Sequence, residues 1–226
     1  MLRETAPADL HIVPYRVRVR YTAQPAAKSA LLFGGREKTF RPNEELFGEG
    51  EPADCIYEML RGTVRSYKSL GEGRRKIEAF RLHGDIFGLD LGGEREFCAE
   101  AIDDVSVLIG RRRTTVGAIN DYEAVEEKLW SVTVRELQRV QRHALLLAKS
   151  ARQRVACFLI EMSGRLDAPE FLEVPMCRQD IADYLGLTVE TVSRTITGFE
   201  VAGLIKVPLA RQIVFRDLDA LQRVAE

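Results

Sequence analysis

Between residues 29 and 113 apolar and polar positions alternate in short bursts, among them "CIYEML", "TVRSYK", "KIEAFRL" and "DVSVLIGRR". Glycines at 48, 50, 62, 71, 73, 84, 88, 92 and 93 cut these bursts apart. A period of two puts successive side chains on opposite faces of a strand, so the pattern predicts a small all-β barrel or sandwich. After residue 117 the period lengthens. Trp130, Thr133, Leu137, Val140, Ala144, Leu147 and Ala151 recur at steps of three and four, which places them on one stripe of a long helix. The stripe is compatible with packing on the chain's own β domain and with packing against a second copy. Its narrowness favours a seam between two copies, as do the charged flanks Glu126, Glu127, Arg135, Arg139 and Arg142. Residues 1–28 show no sustained period apart from the brief alternation "YRVRVRY" and read as an arm.

A second helix, "SARQRVACFLIEMSG", presents Val155, Phe158, Leu159 and Met162 on one face. The stretch "MCRQDIADYLGLTVETVSRTITGFE" then reads as two short helices split by Gly186, the first over Arg178–Leu185 and the second capped by Thr188. Val189, Val192, Ile196 and Phe199 share one side of the second helix and can pack on Ile181 and Leu185. Glu190, Ser193, Arg194 and Thr197 share the other side, a small polar face that one major groove can admit. Arginine can donate twice to guanine, glutamate can accept from cytosine and serine can do either. A wing-like hairpin follows, "GLIKV" and "QIVFRD" around a turn at Pro208–Arg211, and Asp217 caps a last short helix.

Charge limits how such a unit could work. The 226 residues carry a net charge of −1, so any attraction to nucleic acid has to be local. From Arg135 to Arg154 six basic residues (Arg135, Arg139, Arg142, Lys149, Arg152, Arg154) face one acid, Glu136, which concentrates positive charge where the long helix meets the final domain. Residues 150–226 hold nine basic and eleven acidic side chains, which argues against a generally sticky surface and for a small, specific contact. No run of 18 apolar residues occurs, which argues against a membrane partner, and the N-terminus lacks a secretory core, so the expected location is the cytoplasm. Cys55, Cys98, Cys157 and Cys177 are too scattered for a zinc site or a disulfide framework. Three histidines, one of them (His143) on the long helix, leave no evident Cys–His pair for an enzyme.

With these motifs in place, "RQDIADYLGLTVETVSRTITGFEVAGLI" resembles the winged helix–turn–helix of the CRP/FNR family of bacterial transcription regulators. Glu190, Ser193 and Arg194 match the FNR and FixK branch; the cyclic-AMP receptor branch has Gly in place of Ser193 and an Arg in place of Val189. "MCRQDIADYLGLT" is most similar to FixK proteins, regulators of low-oxygen respiration and nitrogen-fixation genes. The resemblance implies an α+β chain made of a cyclic-nucleotide-binding-like jelly roll, a long dimerisation helix and a winged helix–turn–helix. Its parts would be an arm at 1–28, a β-roll at 29–116, a dimer helix at 117–148 and a DNA-binding domain at 149–226. It implies a homodimer on a TTGA-N6-TCAA-like palindrome with half-sites about 10 base pairs apart, recruiting RNA polymerase without bond-making chemistry. Base contacts would fall to Val189, Glu190, Ser193 and Arg194, and backbone contacts to Arg178, Thr188, Thr191 and Thr197. The seam residues Trp130, Thr133, Leu137, Val140, Ala144 and Leu147 would join the protomers.

The same resemblance bears on ligands. Cyclic-nucleotide relatives have Glu after Phe-Gly and an Arg-Ser or Arg-Thr pair; this chain has Leu89 after Phe87-Gly88, and Arg95-Glu96, whose carboxylate would repel a cyclic phosphate. FNR's iron–sulfur cysteines have no counterpart in residues 1–54, and His83 reads as structural, so no cofactor is expected. The alternative is a regulator whose β-roll binds a small molecule or haem. Cys177, at a helix start beside Arg178, is a candidate for redox regulation if its thiol faces the DNA backbone; packing under the turn is the competing reading.

Overall fold

The computed structural model describes residues 35–90, 92–111 and 122–226, with only the helical backbone given for 122–126 and 128. The arm expected at 1–28 and the junction at 116/117 lie outside these residues. Strands β1 (Arg36–Phe40), β8 (Val105–Arg111), β3 (Cys55–Arg61) and β6 (Ile86–Phe87) form one four-stranded sheet in that order. Strands β2 (Glu45–Phe47), β7 (Cys98–Ala101), β4 (Val64–Gly71) and β5 (Arg74–Arg81) form the other. Every described pairing is antiparallel. Between the sheets lie Phe40, Phe47, Tyr57, Met59, Val64 and Val107, all buried, so the alternation in the sequence marks the inner face of a β-roll.

Helix α1 (Tyr122–Leu147) leaves the roll and α2 (Ala151–Arg165) follows after three residues. The break is encoded locally. Ser150 caps α2 through a reciprocal box with Gln153, and the extended backbone at Ser150 cannot continue α1. Next come β9 (Phe171–Glu173), α3 (Arg178–Leu185), α4 (Val189–Val201), β10 (Ile205–Lys206), β11 (Gln212–Phe215) and α5 (Leu218–Ala225). β9 had no alternation long enough to announce it, yet it completes a three-stranded wing sheet in the order β10-β11-β9. Asp217 caps α5, accepting from Ala220 N–H at 2.7 Å.

The C-terminal half is seated on the outer face of β5. Ile77, Phe80 and Leu82 of the roll share one core with Phe158, Leu159, Tyr184, Leu185 and Phe199. Phe80 contacts both Phe158 and Tyr184, at ring-centroid distances of 6.2 and 5.2 Å. Ion pairs frame this patch. Asp180 of α3, 1% exposed, accepts from Arg65 at 3.1 Å and from Arg75 at 2.5 Å, and Arg75 also reaches Asp183 at 2.8 Å. Arg165 of α2 pairs with Asp85 at 2.5 Å.

These contacts correct two expectations. Arg139 is not on a solvated flank: it is half-buried, paired with Glu78 and Glu136, while Arg135 and Arg142 are exposed. Nor is the basic run from Arg135 to Arg154 a free patch. Lys149 donates to the carbonyls of Ala225 and Glu226 at 2.6 and 3.1 Å, and Arg154 donates to the Leu147 and Lys149 carbonyls at the α1–α2 joint and to the Leu185 and Gly186 carbonyls at the end of α3. Helix-end carbonyls carry partial negative charge, so they draw cations that the sequence pattern alone assigns to solvent or DNA.

His143 of α1 lies against Tyr184, with ring centroids 4.4 Å apart, and both its ring nitrogens are buried without a hydrogen-bond partner. Burial, with Lys76 and Arg139 adding positive charge, lowers its pKa to about 4. The folded chain therefore binds fewer protons here than the unfolded chain. Stability is full above the ordinary histidine pKa near 6.5 and falls as pH drops from there towards 4. Denaturant unfolding from pH 7 to pH 4 should show a shallower loss of stability in His143→Phe than in the unsubstituted protein.

Candidate nucleic-acid interface

The helix pair α3–α4 is built by three local devices. Cys177 is the N-cap of α3, its backbone extended, with a reciprocal box to Asp180. Gly186 ends α3 at φ 63°, ψ 42°, a left-handed conformation that costs a side-chain-bearing residue about 1 kcal/mol or more. Thr188, again extended, caps α4 by accepting from Thr191 N–H at 3.2 Å. Val192, Ile196 and Phe199 are buried beneath α4, while Ile181 and Leu185 are buried beneath α3. Their packing sets the crossing of the two helices and rotates the opposite side of α4 outward.

On that outward side Glu190, Ser193, Arg194 and Thr197 are all exposed. Ser193, Arg194 and Thr197 make no side-chain hydrogen bond or salt bridge among the described residues. The Glu190 carboxyl is held below the usual range by its own backbone N–H, then by the Thr188 hydroxyl and the Arg194 charge, so it stands ready as an anionic acceptor. Val189 is half-buried at the edge of the core, between the packing and polar faces. Thr191 is half-buried with its hydroxyl 3.1 Å from that of Thr188. Arg178, on α3, is half-buried with no acceptor among the described residues, and burial alone lowers its pKa. A guanidinium in that state would gain from an anion at close range. The wing is tied to α4, since Glu200 accepts from Val207 N–H at 2.8 Å.

The Cys177 sulfur faces α3, donating to the Asp180 carboxylate at 3.1 Å and accepting from Asp180 N–H at 3.5 Å. It thus joins the buried carboxylate that binds Arg65 and Arg75. Met176 beside it is fully buried. In the sequence Asp180 did not stand out, and Arg154 counted only as one charge of a basic run. The Ser150-x-x-Gln153 box was a legible sign of a break before Arg154; nothing in the spacing announced what either side chain would touch.

In the β-roll a cleft of about 310 Å³ is lined by Phe47, Phe87, Glu78, Arg81, Glu96 and Glu136, among others. Arg81 is already engaged by Glu78 and Glu136, each at 3.0 Å. Arg95 is 3% exposed and turned into the wall, donating to Asp90, to the Gly88 carbonyl and to the Cys55 carbonyl at 2.8, 2.9 and 2.6 Å. A cyclic phosphate entering here would meet carboxylates and find no uncommitted guanidinium among the lining residues. The residues do not fit a cyclic nucleotide. Among the described residues, no cluster of His, Cys, Asp and Glu could hold a metal ion, and no helix is long and apolar enough to cross a membrane.

A β-roll joined by a long helix to a winged helix–turn–helix, with an exposed polar face on α4, is the architecture of a DNA-binding regulator. Residues 37–122 match the cyclic nucleotide-binding domain and residues 153–224 the Crp-like helix-turn-helix domain. The chain is 41% identical to the nitrogen fixation regulation protein FixK of Azorhizobium caulinodans, covering 90% of this chain and 84% of that one. It is 36% identical to FixK of Rhizobium meliloti, over 81% and 84% of the two chains. The solved structure of FixK2 from Bradyrhizobium japonicum superposes with a TM-score of 0.80 at 44% identity, covering 85% of this chain and 98% of that one. The chain belongs to the CRP/FNR family of transcription regulators, within its FixK group.

Proposed function

We propose that the chain acts as a homodimer that reads a TTGA-N6-TCAA-like palindrome and recruits RNA polymerase at nitrogen-fixation and low-oxygen genes. The observation that carries this reading is the exposed trio Glu190, Ser193 and Arg194, unpaired by salt bridges and set by buried Val192, Ile196 and Phe199. Arg194 donates to guanine O6 and N7, Glu190 accepts from the paired cytosine, Ser193 meets the thymine side and Val189 offers an apolar contact to a thymine methyl. Arg178, with Thr188, Thr191 and Thr197, takes the phosphates. On this reading the parts divide into an arm at 1–28, a β-roll at 29–116, a dimer helix at 117–148 and a DNA-binding domain at 149–226. The protein works in the cytoplasm, as a regulator and not as an enzyme.

The dimer seam is supported by apolar exposure on α1. Trp130 is 72% exposed, Leu137 57% and Val140 49%, with Thr133 and Ala144 exposed beside them. Leu147, the last of the series, is half-buried near Gly186 and ends the seam where the DNA-binding domain begins. A row of large apolar side chains on one helix gains most by meeting a second copy of itself.

Cys177 supplies a redox input through its own neighbours. A sulfinate in place of the thiol loses the hydrogen bond to Asp180 and sets a second anion against that buried carboxylate. The start of α3 is then displaced, and Arg178 with it.

Selection of bound duplexes from a random pool should return the palindrome, and that duplex placed upstream of a promoter should raise transcription by purified polymerase. Arg194→Ala should lose about 1–3 kcal/mol of binding to it and relax the preference at the guanine; unchanged binding would remove the recognition role. Leu137→Glu should weaken dimerisation by more than about tenfold in sedimentation, because an apolar contact worth roughly 1.5–3 kcal/mol gives way to facing charges. Peroxide should lower the DNA affinity of the unsubstituted protein and spare Cys177→Ser; equal losses in both would exclude the thiol.

A further inference from the structure

The joint between α1 and α2 is three residues long, 148–150, and two side chains secure it. Lys149, within the joint, holds the end of α5 through the Ala225 and Glu226 carbonyls. Arg154, in the first turn of α2, reaches in two directions. Its Nη2 donates to the Leu147 carbonyl, the end of α1, at 2.5 Å, and its Nε donates to the Lys149 carbonyl at 2.8 Å. Its Nη1 donates to the Leu185 carbonyl at 3.0 Å and lies 3.5 Å from that of Gly186, the turn of the helix–turn–helix. No carboxylate pairs with this guanidinium among the described residues. Its charge faces the C-terminal ends of two helices, each the negative pole of its own dipole.

We propose that Arg154 is the positioning residue that sets the spacing between the two half-sites the dimer can read. This rests on the palindrome-reading dimer proposed above. The other ion pairs and hydrogen bonds from α3 to the rest of the fold run to the β-roll, Asp180 to Arg65 and Arg75 and Lys76 to the Tyr184 carbonyl at 2.7 Å, while His143 of α1 packs on Tyr184 without a hydrogen bond. Arg154 joins the end of the dimer helix to the turn that launches α4. The geometry makes the joint sensitive. α4 launches beside the joint and its 13 residues run about 20 Å, so a swing of roughly ten degrees at the joint moves its far end by about 3.5 Å, one base-pair step. Two such swings, one in each protomer, change the register of the recognition helices along the duplex. A planar fork with five donors suits several carbonyls on different pieces of chain, whereas a lysine ammonium is a point charge that cannot span them.

The test measures affinity for palindromes whose half-sites are separated by five, six and seven base pairs, using full-length unsubstituted protein, Arg154→Lys and Arg154→Gln. Thermal unfolding and sedimentation run in parallel to confirm folded dimers. The unsubstituted protein should prefer one spacing. Both variants should discriminate among the three spacings about fivefold less sharply, while keeping the same penalty for replacing the guanine within a half-site. If Arg154→Gln does not fold, Arg154→Lys carries the comparison. Spacing discrimination that survives in folded Arg154→Lys overturns the role given to Arg154 and leaves the palindrome reading intact. An unsubstituted protein with no preference for any two-half-site duplex overturns the palindrome reading, and the positioning role with it.

Discussion

Asp180 is where the two halves of the molecule become one. A carboxylate 1% exposed to solvent would be costly alone; it is tolerated because two arginines from adjacent strands of the β-roll meet it. The same carboxylate closes the N-terminal box of α3 on Cys177. One side chain thus starts the first helix of the DNA-reading unit and fastens that helix to a different domain. The other end of α3 is held by Lys76, from the same strand as Arg75. Held at both ends, a helix of eight residues resists pivoting on the sheet.

Strength and direction come from different sources at this contact. The apolar patch of Ile77, Phe80, Phe158 and Tyr184 supplies magnitude, since each large side chain taken from water contributes about 1.5–3 kcal/mol. That attraction is indifferent to direction. The ion pairs gain little net free energy after their desolvation is counted, but they select one orientation of α3 over its neighbours. From there the aim of α4 follows through Gly186 and the buried Val192, Ile196 and Phe199. The wing moves with it, because Glu200 ties β10 to the recognition helix and β9 pairs with β11.

Most of the architecture was legible in the sequence where one period dominates. The runs "CIYEML" and "TVRSYK" became β3 and β4 because one face of each meets a shared core, and the 3.6-residue rows around Val192 and Ile196 had only one side to bury. The exposed trio at 190–194 was readable for the same reason. What was not readable depends on three dimensions. The end of β5, Ala79–Arg81, is buried on both faces because a second domain covers its outside, and periodicity cannot name the cover. Arg139, Lys149 and Arg154 look alike in a list of charges, yet one answers carboxylates and two answer carbonyls at helix ends. The three-residue strand β9 is too short to show any period.

Arg95 has a consequence for anything that would enter the β-roll. Its guanidinium is covalently tethered within reach of the Asp90 carboxylate and two carbonyls, and it stacks over Phe47 at 4.3 Å. A tethered group competes at an effective concentration in the millimolar range or above, whatever the solution contains. A diffusing solute that needs this cation must first extract it from its own chain, at the cost of hydrogen bonds already made. The chain thus supplies its own ligand at Nη1 and Nη2 and leaves only Nε, buried and without a hydrogen-bond partner among the described residues.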